Sequence, residues 1–208
     1  MRLIFRATLS IIVGVGLFSC STNIPMNTSL NAEMIYNLEV NDAIPVTLTL
    51  ENQLANGSFF QYEKSEGGLL FPVEDEMVYN EYVVLKQMFN DLIRYRFTNN
   101  SDSEAAQISV GLKHVTISSE MTENDKAITW NSLLFNPSTR LYTAEVQVEV
   151  TIIHEGQTHK RTIFGKGSIH GESFKNTKRD VGAFSAVLNI ANNRVVHFTN
   201  QFLRDVGL

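Results

Sequence analysis

The sequence predicts an α+β domain in which an antiparallel sheet carries two helices on one face, in the order strands, helix, three strands, C-terminal helix. Three patterns predict it. From Tyr142 to Ile153 the chain alternates strictly, with Ala144, Val146, Val148, Val150 and Ile152 on one side and Glu145, Gln147, Glu149 and Thr151 on the other. Val181, Phe184, Leu188, Ala191, Val195, Phe198 and Phe202 recur every three or four residues, a helical stripe that ends before Gly207. Val78, Tyr82, Leu85, Phe89, Leu92 and Ile93 mark a second helical face. With 208 residues, 43% hydrophobic and 19% charged, the chain has the size and composition of a globular domain, which excludes a disordered or collagen-like class.

Taken in order, Met1 to Cys20 has a basic start (Arg2, Arg6) and an apolar stretch from Ala7 to Phe18. Those twelve residues fall short of the ~20 needed to span a bilayer, so residues 1–19 read as a signal peptide. Residues 20–32 follow as a tether: Ser21 to Ala32 is uncharged, rich in Ser, Thr and Asn, and able to reach at most ~40 Å at ~3.3 Å per residue. Residues 33–208 form the single domain. Met34 to Val40 and Pro45 to Leu50 read as the first strands around an Asn41-Asp42 turn. Gly57-Ser58 and Gly67-Gly68 punctuate a loop that holds a strand at Ser58 to Tyr62. Glu74, Asp75 and Glu76 place negative charge at the start of a helix expected from Asp75 to Phe97.

Ile108, Val110 and Leu112 alternate in one phase and Val115 and Ile117 in the other, as a bulged strand would. After a turn-rich gap from Thr122 to Thr129, Trp130, Leu133, Leu134 and Phe135 form an apolar cluster, either sheet-edge core or a partner contact. His154-Glu155-Gly156-Gln157 supplies a hairpin turn, and Thr158 to Phe174 returns with Gly165, Gly167 and Gly171. Glycine within a strand marks a bulge or the close approach of another backbone. The last helix contains Asn189, Asn192, Asn193 and Asn200, which are poor helix formers, so packing of its apolar stripe must hold it.

Little of this points to catalysis. A single cysteine excludes an intramolecular disulfide and cysteine-based zinc or iron–sulfur sites. With 17 Lys+Arg against 22 Asp+Glu, the chain lacks the cationic surplus of a nucleic-acid binder. His114, His154, His159, His170 and His197 include no HExxH pair; a zinc site of His154, His159 and Glu155 competes with the simpler reading of solvated turn residues. Gly165-Lys166-Gly167-Ser168 lacks the spacing of a phosphate loop, and the stretch around Ser168 lacks Gly-x-Ser-x-Gly. Glu145 and Glu149 read as the wet face of a strand. The sequence therefore predicts no catalytic residue, no metal site and no enzyme. One charge asymmetry stands out: Lys160, Arg161, Lys166, Lys175, Lys178 and Arg179 against Glu172, a candidate surface for an anionic partner unless it is an ordinary solvated hairpin and helix start.

Leu17-Phe18-Ser19-Cys20 resembles the lipobox of bacterial lipoproteins, with an aliphatic residue three before the cysteine and a small one before it, although Phe18 is larger than is usual there. The competing reading is an ordinary secretory signal, against which stands the placement of the only cysteine at the one useful position. The resemblance implies a diacylglycerol on the Cys20 thiol and an acyl chain on its amine, with no other cofactor. Two or more chains suffice for stable anchoring. Loss of residues 1–19 would remove two arginines and leave 15 cations against 22 acids. Ser21, where enteric lipoproteins retained at the inner membrane carry aspartate, implies the outer membrane with the domain facing the periplasm. The order of elements resembles small Gram-negative envelope lipoproteins of the ABC-transport auxiliary, YajG-type and lipopolysaccharide-assembly groups. That resemblance implies an accessory subunit of an envelope assembly or transport complex. The alternative is a periplasmic module that binds a lipid or other amphiphile between sheet and helices.

Overall fold

The computed structural model describes residues 21–41, 44–54, 59–67, 72–97, 105–121, 138–173 and 177–208. The lipobox-like Leu17 to Cys20, the Trp130 cluster and Lys175 lie outside them. A four-stranded sheet is ordered β2 (Val46–Asn52), β5 (Ala106–Met121), β6 (Ser138–His154), β7 (Gln157–Ser173). A three-stranded sheet is ordered β1 (Ser21–Asn23), β4 (Pro72–Asn80), β3 (Phe59–Gly67). The helices are α1 (Ala32–Tyr36), α2 (Glu81–Arg96) and α3 (Thr177–Asp205). The architecture is α+β with helices on one face of the larger sheet, as the sequence predicts. That sheet is mixed and not wholly antiparallel, because β2 pairs with β5 in parallel, Val46 opposite Ala106 through Asn52 opposite Leu112. The intervening β3, β4 and α2 act as a crossover that returns the chain to the same end of the sheet.

The β6–β7 hairpin forms one side of this sheet, with β7 at its edge. His154 opposes Gln157, and the two turn residues Glu155 and Gly156 both have positive φ (51° and 74°), the primed turn whose twist matches that of the strands. Along β6, Val146, Val148, Val150 and Ile152 are fully buried while the alternate positions are half-buried. In β5 the register shifts between Leu112 and His114, so Lys113 is the extra residue that changes the phase of the core side chains from even to odd. The phase change in the sequence was thus a real bulge.

Gly165 and Gly167 are the positions where α3 lies directly on β7. A Cβ at Gly165 would stand 2.0 Å from the Ala191 carbonyl oxygen, and one at Gly167 would stand 2.0 Å from that of Val187. Val187, Leu188, Ala191 and Val195 can then reach the sheet core, where each is fully buried. The helix ends in a Schellman motif: Gly207 has φ 83°, its amide donates to Arg204, and the Leu208 amide donates to Leu203 at 2.9 Å.

Five sequence expectations need correction. Met34 to Val40 is not a strand; Asn31 caps α1 by accepting from the Glu33 amide at 3.0 Å, and Asn37 ends it. The strand at Ser58 to Tyr62 runs instead from Phe59 to Gly67, paired with β4. The helix expected from Asp75 starts at Glu81, because Asp75 and Glu76 are engaged in β4 and Asn80 supplies the cap by accepting from the Val83 amide at 3.2 Å. Phe198 is 42% exposed although it sits in the apolar stripe. A strict repeat of 3.5 residues drifts ~20° per heptad against a 3.6-residue helix, and the later part of α3 turns Val196, Thr199 and Leu203 inward in its place. Finally, Ser21 to Ala32 is not a free tether. Ser21 to Asn23 pairs in parallel with Glu76 to Val78, and Ile24 and Leu30 are 4% and 5% exposed within the core.

Candidate functional site

The outer face of the β5–β6–β7 sheet is built by the polar half of the alternating pattern. Glu149 lies 3.1 Å from Lys160 and 3.3 Å from Lys113, and Glu145 lies 2.7 Å from Lys166. Lys160 and Lys113 hold the Glu149 carboxyl below the ordinary carboxylate range, chiefly through the Lys160 hydrogen bond. His114, Thr116, Thr143 and Ser168 complete a polar hollow of 550 Å³ around Glu145 and Lys166. Phe164 and Ile153, 44% and 42% exposed, also belong to this solvated face.

Among the described side chains, the basic segment is divided between two faces. Lys160 and Lys166 stand on the outer sheet face, each on a glutamate. Arg161, one residue out of phase, points to the helix side, where it meets Asp205 at 2.9 Å and lies 4.3 Å from the Phe202 ring centroid. Lys178 and Arg179 belong to the first turn of α3. Strand alternation divides what sequence proximity suggested was continuous. His154 lies 3.9 Å from Glu155, and among the described residues no three His, Cys, Asp or Glu side chains could hold a metal ion.

A second surface, which the sequence did not reveal, lies along α3. The segment from Ser21 to Glu39 crosses it as a strap. Ser185 Oγ donates to the Pro25 carbonyl, the Asn31 amide donates to Asn193 Oδ1 at 3.2 Å, and Arg204 donates to the Asn37 carbonyl at 3.0 Å. Between strap and helix runs a polar groove of 560 Å³ lined by Asn31, Asn37, Asn189, Asn193, His197, Gln201 and Arg204 among others. The asparagines that weaken α3 as a helix are its docking points: Asn193 receives the strap, and Asn200 Oδ1 accepts from the buried Arg96 at 2.8 Å. Arg96 also donates to the Leu208 carbonyl, joining the end of α2 to the end of α3.

The third feature is internal. Glu81, the first residue of α2, and Asn192 of α3 are both fully buried, and neither carboxyl oxygen of Glu81 nor either amide atom of Asn192 has a partner at hydrogen-bond geometry. Burial pushes the Glu81 carboxyl up to about 8; Asn192 is near enough to oppose that rise but not to satisfy the group. The buried Tyr79 hydroxyl is pushed up as well, by burial first and by Glu81 second.

The space between sheet and α3, where the alternative reading of the sequence would put an amphiphile, is filled. Phe184, Leu188 and Ala191 are fully buried against Val146, Val148 and Val150, and the helix backbone rests on Gly165 and Gly167. Among the described residues no helix is long and apolar enough to cross a membrane.

The sequence matches no family model, and no curated protein matches it. Among solved structures, the chain is similar to one described only as an uncharacterized protein, at 8% identity and a TM-score of 0.39, covering 90% of this chain and 97% of that one. It is also similar to rare lipoprotein B from Shewanella oneidensis, at 10% identity and a TM-score of 0.36, covering 78% of this chain and all of the other.

Proposed function

We propose that the chain is a non-enzymatic lipoprotein, anchored in the outer membrane through acylated Cys20, whose periplasmic domain serves as an accessory subunit of an envelope assembly or transport complex. The observation that carries this reading is the lipobox: a basic start, a twelve-residue apolar stretch and Leu17-Phe18-Ser19-Cys20, with the only cysteine of the chain at the acylated position. Hydrophobic anchoring follows from ~0.8 kcal/mol per buried methylene over two or more chains. The described surface supports a docking role: a broad solvated sheet face whose charges are internally paired and which exposes Phe164 and Ile153. The close contact of α3 with Gly165 and Gly167 favours this reading over one in which an amphiphile enters between sheet and helix.

The test is Cys20→Ala, read by detergent partitioning and by the mass of the mature N-terminus. The parent should carry acyl mass, partition with membranes and co-purify with an envelope complex; the variant should fractionate as soluble periplasmic protein. A parent that lacks acyl mass and is already soluble would refute the assignment.

A further inference from the structure

Ser21, the residue after Cys20, already pairs with Glu76, and consecutive Cα atoms are only ~3.8 Å apart. Ser21, to which Cys20 is bonded in the sequence, is therefore already part of the fold. Beyond β1 the strap is pinned by Ser185 at Pro25, by Asn193 at Asn31 and by Arg204 at Asn37. These contacts advance along α3 in the order in which they advance along the strap, so the two run in the same direction. Ser21 accordingly lies toward the N-terminal end of α3. α3 itself runs antiparallel to β7: Val187 lies over Gly167, Ala191 over Gly165, and Asp205 meets Arg161. The hairpin turn at Glu155 and Gly156 thus stands at the opposite end of the molecule. The 29 residues of α3 at ~1.5 Å each separate the two ends by about 43 Å.

We propose that the anchored domain stands on the bilayer, with the end that carries β1 and the start of α3 held against the lipid surface and the β6–β7 hairpin directed away from it. The inference rests on the reading of Cys20 as acylated and adds to it an orientation and an absence of slack. Charge does not set this orientation. Lys178 and Arg179 lie in the first turn of α3, but Glu74, Asp75 and Glu76 lie on β4 beside Ser21, so that end carries both signs. The partner surface is the bilayer itself, engaged through the covalent anchor, and the far end is left for a protein partner.

The single thiol allows a direct test. The mature chain from Cys20 to Leu208 is coupled to a maleimide headgroup lipid in phosphatidylcholine vesicles that also contain a nitroxide headgroup lipid. A fluorescent amino acid is placed either at Gly182, where an added Cβ meets nothing within 4 Å, or at the exposed Gln157 beside the hairpin turn. Unchanged denaturation midpoints check that both labelled chains are folded. The expected result is strong quenching at 182, its loss at 157, and no dependence on salt. A long Gly-Ser spacer between Cys20 and Ser21 should make the two positions alike. Equal quenching at both positions in the parent, stronger quenching at 157, or a spacer that changes nothing would overturn the proposal. The coupling is chemical, so this outcome is separate from whether the cell acylates Cys20, which the mass of the native N-terminus decides.

Discussion

Glu81 is the side chain whose position is hardest to reconcile with its chemistry, since a carboxylate at full burial without a partner is among the most costly groups a core can hold. Holding the proton is the resolution. With a folded-state value of about 8 against an ordinary ~4.3, the folded chain keeps a proton that the unfolded chain releases. The stabilisation is fully present below the unfolded value and is lost progressively as pH rises toward 8, by up to ~1.4 kcal/mol per pH unit. Urea midpoints at about pH 5 and about pH 8 should therefore differ, the protein being weaker at the higher pH. Glu81→Gln keeps the shape and removes the titration, so its midpoints should lie closer together. A variant as pH-sensitive as its parent would assign the effect to another group. Nothing in the sequence marks Glu81 as special: it follows Asn80 as an ordinary first-turn acid, and only its tertiary burial, with Asn192 of α3 beside it, removes it from water.

At the scale of elements, the contact of α3 with β7 decides the packing of the domain, and two glycines allow it. In an open strand, replacing glycine by alanine stabilises the chain; here Gly165→Ala should destabilise by about 1–3 kcal/mol or more, because the helix backbone occupies the space. Gly182→Ala is the counter-example, in α3 with nothing near its added Cβ, and should stabilise by about 0.5–1 kcal/mol. Chemical denaturation of the two variants gives opposite signs if the contact is as described; a neutral Gly165→Ala would show that the helix can lift without loss. Most of this layer was legible in the sequence. The alternation of Val146, Val148, Val150 and Ile152, the hairpin turn, the bulge near Lys113 and the long last helix all follow from local periodicity and turn chemistry. The start of α2 was misplaced, because Glu74 to Glu76 suit a helix N-terminus as well as they suit β4. Local propensity cannot separate the two without the partner strand β3.

For the whole molecule, the strap converts an expected linker into part of the core. Leu30, 5% exposed, should cost about 2–5 kcal/mol when replaced by alanine, whereas a residue in a free linker would cost nothing. Denaturation midpoints of Leu30→Ala measure this, and an unchanged midpoint would restore the linker. The sequence by itself determined the α+β order, the strand and helix periods and the wet and dry faces of β6, since each is written in neighbours within a few residues of one another. Tertiary structure alone decided which of those surfaces remain available. It placed Lys160 and Lys166 on one face and Arg161 on the other, it buried Glu81 under Asn192, and it made Asn193 and Asn200 docking points instead of helix defects. It also drew Ser21 to Ala32 onto α3: Ile24 and Leu30 of that polar stretch are buried in the common core, and its hydrogen bonds reach Ser185 and Asn193, 160 and 162 positions away. Pairings across such separations depend on how the elements close over one another, and no local pattern records that.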